Sequence, residues 1–209
     1  MKRLSYNRDQ EYIVWDLETE GLNLFLSRPW QLAFIVYKNG KVIEKHEHFI
    51  LWEDLNIPAK VKMLTHFDEK KYKSLAKDPK EVCKIFSKYL YNEKYLLAGH
   101  NIISYDSHVF KTWALLAGMW KGWSFTERMV DTLCLSRMFH NETKPDMNNF
   151  FSSQLKEIGK PPRGAKKANL TAMCKQFGID VDETKTHDGS YDVEINAKVL
   201  EKLIYALDI

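Results

Sequence analysis

Ile13-Val14-Trp15-Asp16-Leu17-Glu18-Thr19-Glu20-Gly21-Leu22 is the stretch on which the reading of this chain turns. It opens as an apolar run, as a buried strand does. It then sets Asp16 and Glu18 two residues apart. Side chains alternate faces along a strand, so these two carboxylates leave the same face side by side. Ionised together they repel, and burying an uncompensated charge is costly. A hard divalent cation such as Mg²⁺ or Mn²⁺ relieves that repulsion, because such ions take oxygen ligands. A strand end emerging into solvent accounts for the pair equally well if nothing else joins it. The residues downstream decide between the two.

Outward from this stretch, the apolar pattern builds a mixed sheet. Trp30–Tyr37 is rich in β-formers and leads into Lys38-Asn39-Gly40-Lys41. Asn-Gly between strand-like runs signals a tight hairpin, so Val42–Ile50 is expected to run antiparallel to it. Leu55–Lys77 reads as charged and irregular, broken by Pro58. Asp78-Pro79 has the form of a helix start, with Asp as cap and Pro at the first helical position. Val82, Ile85, Phe86, Tyr89 and Leu90 then recur at helical spacing. Two short strands, Tyr95–Gly99 and Met129–Leu133, bracket a helix expected over Asp106–Met119. Further helices are expected over Asn169–Phe177, with Gly178 as cap, and from about Tyr191 to Ala206. Five strands with intervening helices make an α/β layer architecture with the acidic strand at its centre. Residues 140–168 break the pattern. They carry Pro145, Pro161, Pro162 and Gly164, and Lys156, Lys160, Arg163, Lys166 and Lys167, and read as a mobile cationic insertion in one domain spanning 1–209.

Composition bounds the setting. The 209 residues are 44% hydrophobic and 13% aromatic, as in a globular chain rather than a disordered one. The net charge of +3 permits nucleic acid as a partner without arguing for it. Three isolated cysteines, Cys83, Cys134 and Cys174, form no C-x-x-C pair, which argues against a disulfide framework or a zinc knuckle. The start, Met1 to Gln10, is polar, and no stretch approaches membrane-span length. A reduced cytoplasmic setting is expected, bacterial or in a virus-infected cell.

Two further acids stand beside recognisable neighbours. Asp106 closes Gly99-His100-Asn101-Ile102-Ile103-Ser104-Tyr105-Asp106, which follows a strand and opens a helix. Asp192 closes His187-Asp188-Gly189-Ser190-Tyr191-Asp192 at the start of the last helix. Either acid alone reads equally as a helix N-terminal carboxylate favoured by the dipole. Together, the Asp-x-Glu strand, the Gly-His-Asn-x₄-Asp segment and the His-x₄-Asp segment resemble the DEDD exonuclease superfamily. They match its histidine variant, which includes the proofreading subunit of bacterial replicative DNA polymerase. Arg28–Ala33, Leu64-Thr65-His66-Phe67, Val130–Leu133 and Asn169–Ile179 resemble its secondary features. Gly189 stands where the family usually has alanine, and Tyr105 where phenylalanine is commoner.

The resemblance implies a ribonuclease H-like fold, a central mixed five-stranded sheet with helices on both faces. It implies 3′→5′ removal of nucleoside 5′-monophosphates with two Mg²⁺ or Mn²⁺ ions. Asp16, Glu18, Asp106 and Asp192 would be metal ligands and His187 the general base. Thr19, Leu22, Thr65, His66 and Asn101 would bind substrate, with Leu22 against the terminal bases. The implied partner is a nucleic acid 3′ end, single-stranded or frayed DNA rather than RNA. An exoribonuclease and a non-catalytic nucleic-acid or polymerase-binding module are the alternatives, the second disfavoured by retention of all five residues. With no long tail after Ile209, a free-standing nuclease is expected rather than a polymerase-docked one. The chemistry stands beside the name: two cations about 4 Å apart can clamp the attacking and leaving oxygens of a phosphodiester, and an imidazole can take a proton near neutral pH.

Other groups admit two readings. Glu44, His46 and His48 share a strand face that is a solvated sheet edge or, less readily, a metal site. Trp113 belongs to the core face of its helix, while Trp120 and Trp123 could pack or stack bases. The basic insertion could grip phosphates or be a solvated loop.

Overall fold

The computed structural model describes residues 9–209; the polar start from Met1 to Arg8 lies outside them. The acidic stretch forms β1 (Glu11–Thr19), β2 is Pro29–Lys38 and β3 is Lys41–Phe49. Asn39 and Gly40 both take left-handed backbone angles, φ 49° and 73°, as the two-residue hairpin requires. Then come α1 (Ala59–Leu64), α2 (Glu69–Leu75), α3 (Pro79–Leu90), β4 (Tyr95–Gly99), α4 (Asp106–Leu116), β5 (Met129–Asp131) and α5 (Thr132–Asn141). α6 (Phe150–Leu155), α7 (Leu170–Gln176) and α8 (Gly189–Leu207) complete the helices. The sheet order is β3-β2-β1-β4-β5, with β1 antiparallel to β2 and parallel to β4. The acidic strand is therefore central, in the mixed five-stranded sheet expected of it.

Alternation along β1 feeds two cores. Ile13, Trp15 and Leu17 pack with Phe34, Phe86, Phe110 and Trp113 on the α3/α4 side. Tyr12 and Val14 pack with Ala33, Ile35, Val193 and Leu200 on the α8 side. Each large apolar side chain fully buried this way contributes about 1.5–3 kcal/mol, so the sheet is held from both faces. Asp78 caps α3 as expected, accepting from Lys80 N (2.9 Å) and Glu81 N (3.1 Å), with Pro79 in the first turn.

Four expectations need correction. Leu55–Lys77 is not irregular: it holds α1 and α2. Asp68 caps α2, accepting from Lys70 N and Lys71 N, and Tyr72 anchors it by donating to Ile50 O at 2.8 Å. With Ile57, Tyr72 packs on Trp30 and Phe49 in a third small core. α4 ends at Leu116, short of Met119. β5 ends at Asp131, because that carboxylate caps α5 by accepting from Leu133 N and Cys134 N. The basic insertion is anchored by α6. Buried Gln154 donates to Met129 O (2.9 Å) and accepts from Asp131 N (2.7 Å), covering the free edge of β5.

The undecided aromatics pack. Trp113 is fully buried, and Trp120 and Trp123 lie edge to face at 5.0 Å against the same core. On β3, His46 stacks on Phe34 at 4.3 Å, and Glu44 accepts from Tyr89 OH at 2.8 Å. That face is thus partly covered by α3 rather than fully solvated. All three cysteines are free and buried. Among the described residues no helix is long and apolar enough to cross a membrane.

Candidate active site

Three segments deliver the four acids to one place. Asp16 and Glu18 leave β1 on the α8 side, opposite Ala33 and Gln31 of β2. β4 pairs with β1 only over Glu11–Val14, so the C-terminal half of β1 has no strand on that side. The Asp106 carboxylate, nearly fully buried, takes that role, accepting from Leu17 N at 3.0 Å. β4 has to stop and turn at Gly99, where an added Cβ would lie 2.8 Å from Trp15 O and 2.1 Å from Ile102 Cγ2. Asn101 continues the turn with φ 68°.

From the opposite side comes the start of α8. Asp188 caps it by accepting from Ser190 N. Asp192, in its first turn, accepts from His187 N at 3.2 Å. Gly189 brings the helix close: an added Cβ would sit 3.3 Å from Ala33 Cβ and 3.5 Å from Asp16 Oδ2. Only a very small residue fits there.

The electrostatics follow from this convergence. Asp16 and Glu18 retain partial solvent exposure through the cleft, yet are deep enough for burial to dominate. Burial, then repulsion from Asp106, Glu18 and Asp192, pushes Asp16 well above the ordinary carboxylate range. Burial, then Asp192, Asp106 and Asp188, does the same to Glu18. Asp106 is pushed up to about 7, mainly by burial and against the Leu17 N–H that favours its charged form. Asp192 is pushed up to about 6, again by burial, opposed by the His187 N–H.

A cleft of about 250 Å³ is lined by Asp16, Asp192, His187 and His100, with Asn169–Thr171 as one wall. Asp106 and Glu18 are not among its lining residues, though both act electrostatically on Asp16. His187 is exposed, with φ 67°. Burial on one side and then the nearby His66 lower its pKa, favouring neutral imidazole. His100 hydrogen-bonds Thr132 Oγ1 at 3.0 Å, and burial lowers it to about 4.

The donor set suits hard divalent cations: carboxylates held together, whose strongest charged neighbours are other carboxylates. Among the described residues, no three His, Cys, Asp or Glu side chains stand in a closed metal-binding arrangement.

The expected substrate residues divide. Leu22 is 87% exposed and shares its loop with equally exposed Phe25 and with Leu26. Arg28 ties this loop down through Glu20 (2.8 Å) and Asp54, and Glu20 accepts from Asn56 N. His66 is exposed and electrostatically couples to His187. Asn101 donates its N–H to Asp131 Oδ1. Two hydroxyls also hydrogen-bond within the protein. Thr65 Oγ1 is buried and donates to Val61 O, closing α1. Thr19 Oγ1 meets Gly21 O (2.8 Å) and Tyr105 OH (2.6 Å). The Tyr105 hydroxyl, which phenylalanine lacks, also donates to Gly21 O and braces the turn after β1. The sequence alone did not disclose the bracing hydroxyl of Tyr105, the exposure of Phe25 or the cap at Asp131; the Asp-Thr step between a strand and a helix was a readable cap signal for the last.

This arrangement has counterparts among known proteins. The RNase T family model, described as an exonuclease, matches residues 13–200. A DNA polymerase III PolC-type from Bacillus cereus is 25% identical over 197 residues, 94% of this chain and 11% of that protein. The Lacticaseibacillus paracasei PolC-type polymerase is 29% identical over 151 residues, 70% of this chain and 10% of that protein. The chain thus spans about a tenth of the curated relatives' length. Among solved structures, Escherichia coli exonuclease I in complex with a dT13 oligonucleotide aligns with a TM-score of 0.72 at 16% identity, covering 93% of this chain and 41% of that one. A zinc-bound form of that exonuclease with single-stranded DNA aligns at 0.71 and 18% identity, over 94% and 40%.

Proposed function

We propose that this chain, which belongs to the exonuclease family, hydrolyses phosphodiester bonds at nucleic acid 3′ ends and releases nucleoside 5′-monophosphates. The observation that carries the reading is the gathering of Asp16, Glu18, Asp106 and Asp192 from three distant segments into mutually repelling proximity. Burying like charges together is costly, and it is expected where that charge is used. DNA is proposed over RNA because the relatives at 25% and 29% identity are DNA polymerases.

Asp16, Glu18, Asp106 and Asp192 would hold a pair of Mg²⁺ or Mn²⁺ ions. Such ions neutralise the charge that builds on the phosphoryl oxygens and make water more acidic. The chain's own groups do the rest. His187, at the mouth of the cleft and biased to its neutral form, takes the proton from the attacking water. Its loop position lets it follow the substrate. Leu22 and Phe25, held out by the Arg28 clamp, offer apolar surface to the faces of the last bases. His66 lies on the same side as His187, and Asn101 backs the turn before Asp106.

Purified protein incubated with 5′-labelled DNA and RNA oligomers, with Mg²⁺, Mn²⁺ or EDTA, tests the reading. Stepwise shortening of DNA from its 3′ end with either metal and none in EDTA is expected. Preferential RNA trimming would reassign the substrate. Intact oligomers under every condition would leave a binding module.

A further inference from the structure

We infer that Asp131 is a positioning residue for the acidic site: its carboxylate fixes the turn that delivers Asp106. The inference rests on the proposed function for its consequence, though not for its geometry. Asp131 is fully buried. Its Oδ1 accepts from Asn101 N (3.0 Å), Leu133 N (2.9 Å) and Cys134 N (3.3 Å), and its Oδ2 accepts from Ile103 N (3.0 Å). One carboxylate thus joins the start of α5 to the turn between β4 and α4. Its own N–H is held by Gln154, so α6 braces it from behind.

The turn needs such a hold. Gly99 leaves no room for a side chain against β1, and Asn101 is left-handed. Three residues after Ile103, Asp106 reaches across to Leu17 N. Any play at Asn101 and Ile103 moves the Asp106 carboxylate relative to Asp16 and Glu18. Groups that orient metal ligands without touching the metal are worth about 10- to 100-fold in metal affinity.

Asp131→Asn is a narrow perturbation. Its amide oxygen can keep the α5 cap and the Asn101 contact, while its NH₂ faces the Ile103 N–H, donor against donor. Mn²⁺ binding is read from the free-ion paramagnetic resonance signal, alongside kcat and KM on a DNA oligomer. Mn²⁺ affinity at least about 10-fold weaker is expected, with kcat reduced, KM for DNA little changed and the circular dichroism of the native fold retained. Leu203→Ala, a truncation of the fully buried α8 core, should lower the melting temperature without weakening Mn²⁺ binding. Wild-type Mn²⁺ affinity in folded Asp131→Asn, or an equal loss in Leu203→Ala, would overturn the inference. If Asp131→Asn does not fold, amide exchange in the wild type decides. Asn101 and Ile103 amides as protected as those of the sheet support the hold; exchange at exposed-loop rates refutes it. A wild type that binds no Mn²⁺ would sink the proposed function instead, while amide exchange would still report on Asp131.

Discussion

Protons and a divalent cation should compete for the acidic site, and the strength of that competition can be worked out. Asp106 is pushed up to about 7 and Asp192 to about 6, chiefly by burial. At about pH 8 both are largely ionised; at about pH 5.5 Asp106 is ionised in roughly 3% of molecules and Asp192 in roughly a quarter. Apparent Mn²⁺ affinity should therefore fall roughly 30-fold over that range from Asp106 alone, and roughly 100-fold with both, or about 2–3 kcal/mol. Asp16 and Glu18, raised in the same direction, steepen the fall. Isothermal titration in two buffers of different ionisation enthalpy measures both the affinity and the protons released. Affinity that stays level from about pH 8 to about 5.5, with no buffer-dependent heat, would refute the claim that these carboxylates share one buried site.

The same shift predicts that Asp106→Asn stabilises the metal-free protein. Folded Asp106 keeps its proton up to about 7, while the unfolded chain releases it near 3.8. The stability it contributes is fully present below about 3.8 and is lost as pH rises through about 7, a loss of at most about 4 kcal/mol. An amide still accepts from Leu17 N and has no charge to lose, so the denaturant midpoint in EDTA at about pH 8 should rise while activity disappears; a lower midpoint contradicts the assignment. His187→Ala should bind Mn²⁺ as the wild type does and lose about 10²–10⁴ of kcat; full turnover ends its role as base. Neutralising Lys160, Arg163, Lys166 and Lys167 should weaken single-stranded DNA binding and flatten its salt dependence by about 0.7 in logarithmic slope for each phosphate no longer gripped. Lys160 and Arg163 already pair with Glu157 and Glu142, so Lys166 and Lys167 should carry most of the change, and an unaltered slope removes the segment from the interface.

What was legible in the sequence was what depends on local rules. The β1 alternation, the Asn39-Gly40 hairpin and the Asp78-Pro79 start each follow from backbone geometry within a few residues, and each is present. The four acids could be picked out because their neighbours formed a pattern. What was missed depends on distant partners. α2 is held by one tyrosine reaching Ile50 O, too sparse an anchor to give a periodic signal among lysines. α6 is fixed by Gln154 meeting the edge of β5, and no reading of a Pro- and Lys-rich segment foresees where a single amide will dock. The hydroxyl partners of Thr19 and Thr65, Tyr105 OH and Val61 O, likewise could not be read from their neighbours in sequence.

Trp15 and Leu17 face one core while Asp16 and Glu18 face the other way, and this alternation governs which changes the gene can tolerate. A substitution in β1 alters one side chain and leaves the rest in place. A single-codon insertion or deletion there would turn both carboxylates into the aromatic packing around Phe86 and Phe110 and swing the indole of Trp15 toward the cleft. Point changes at this strand should therefore give graded phenotypes, whereas length changes should be lethal to folding and chemistry at once.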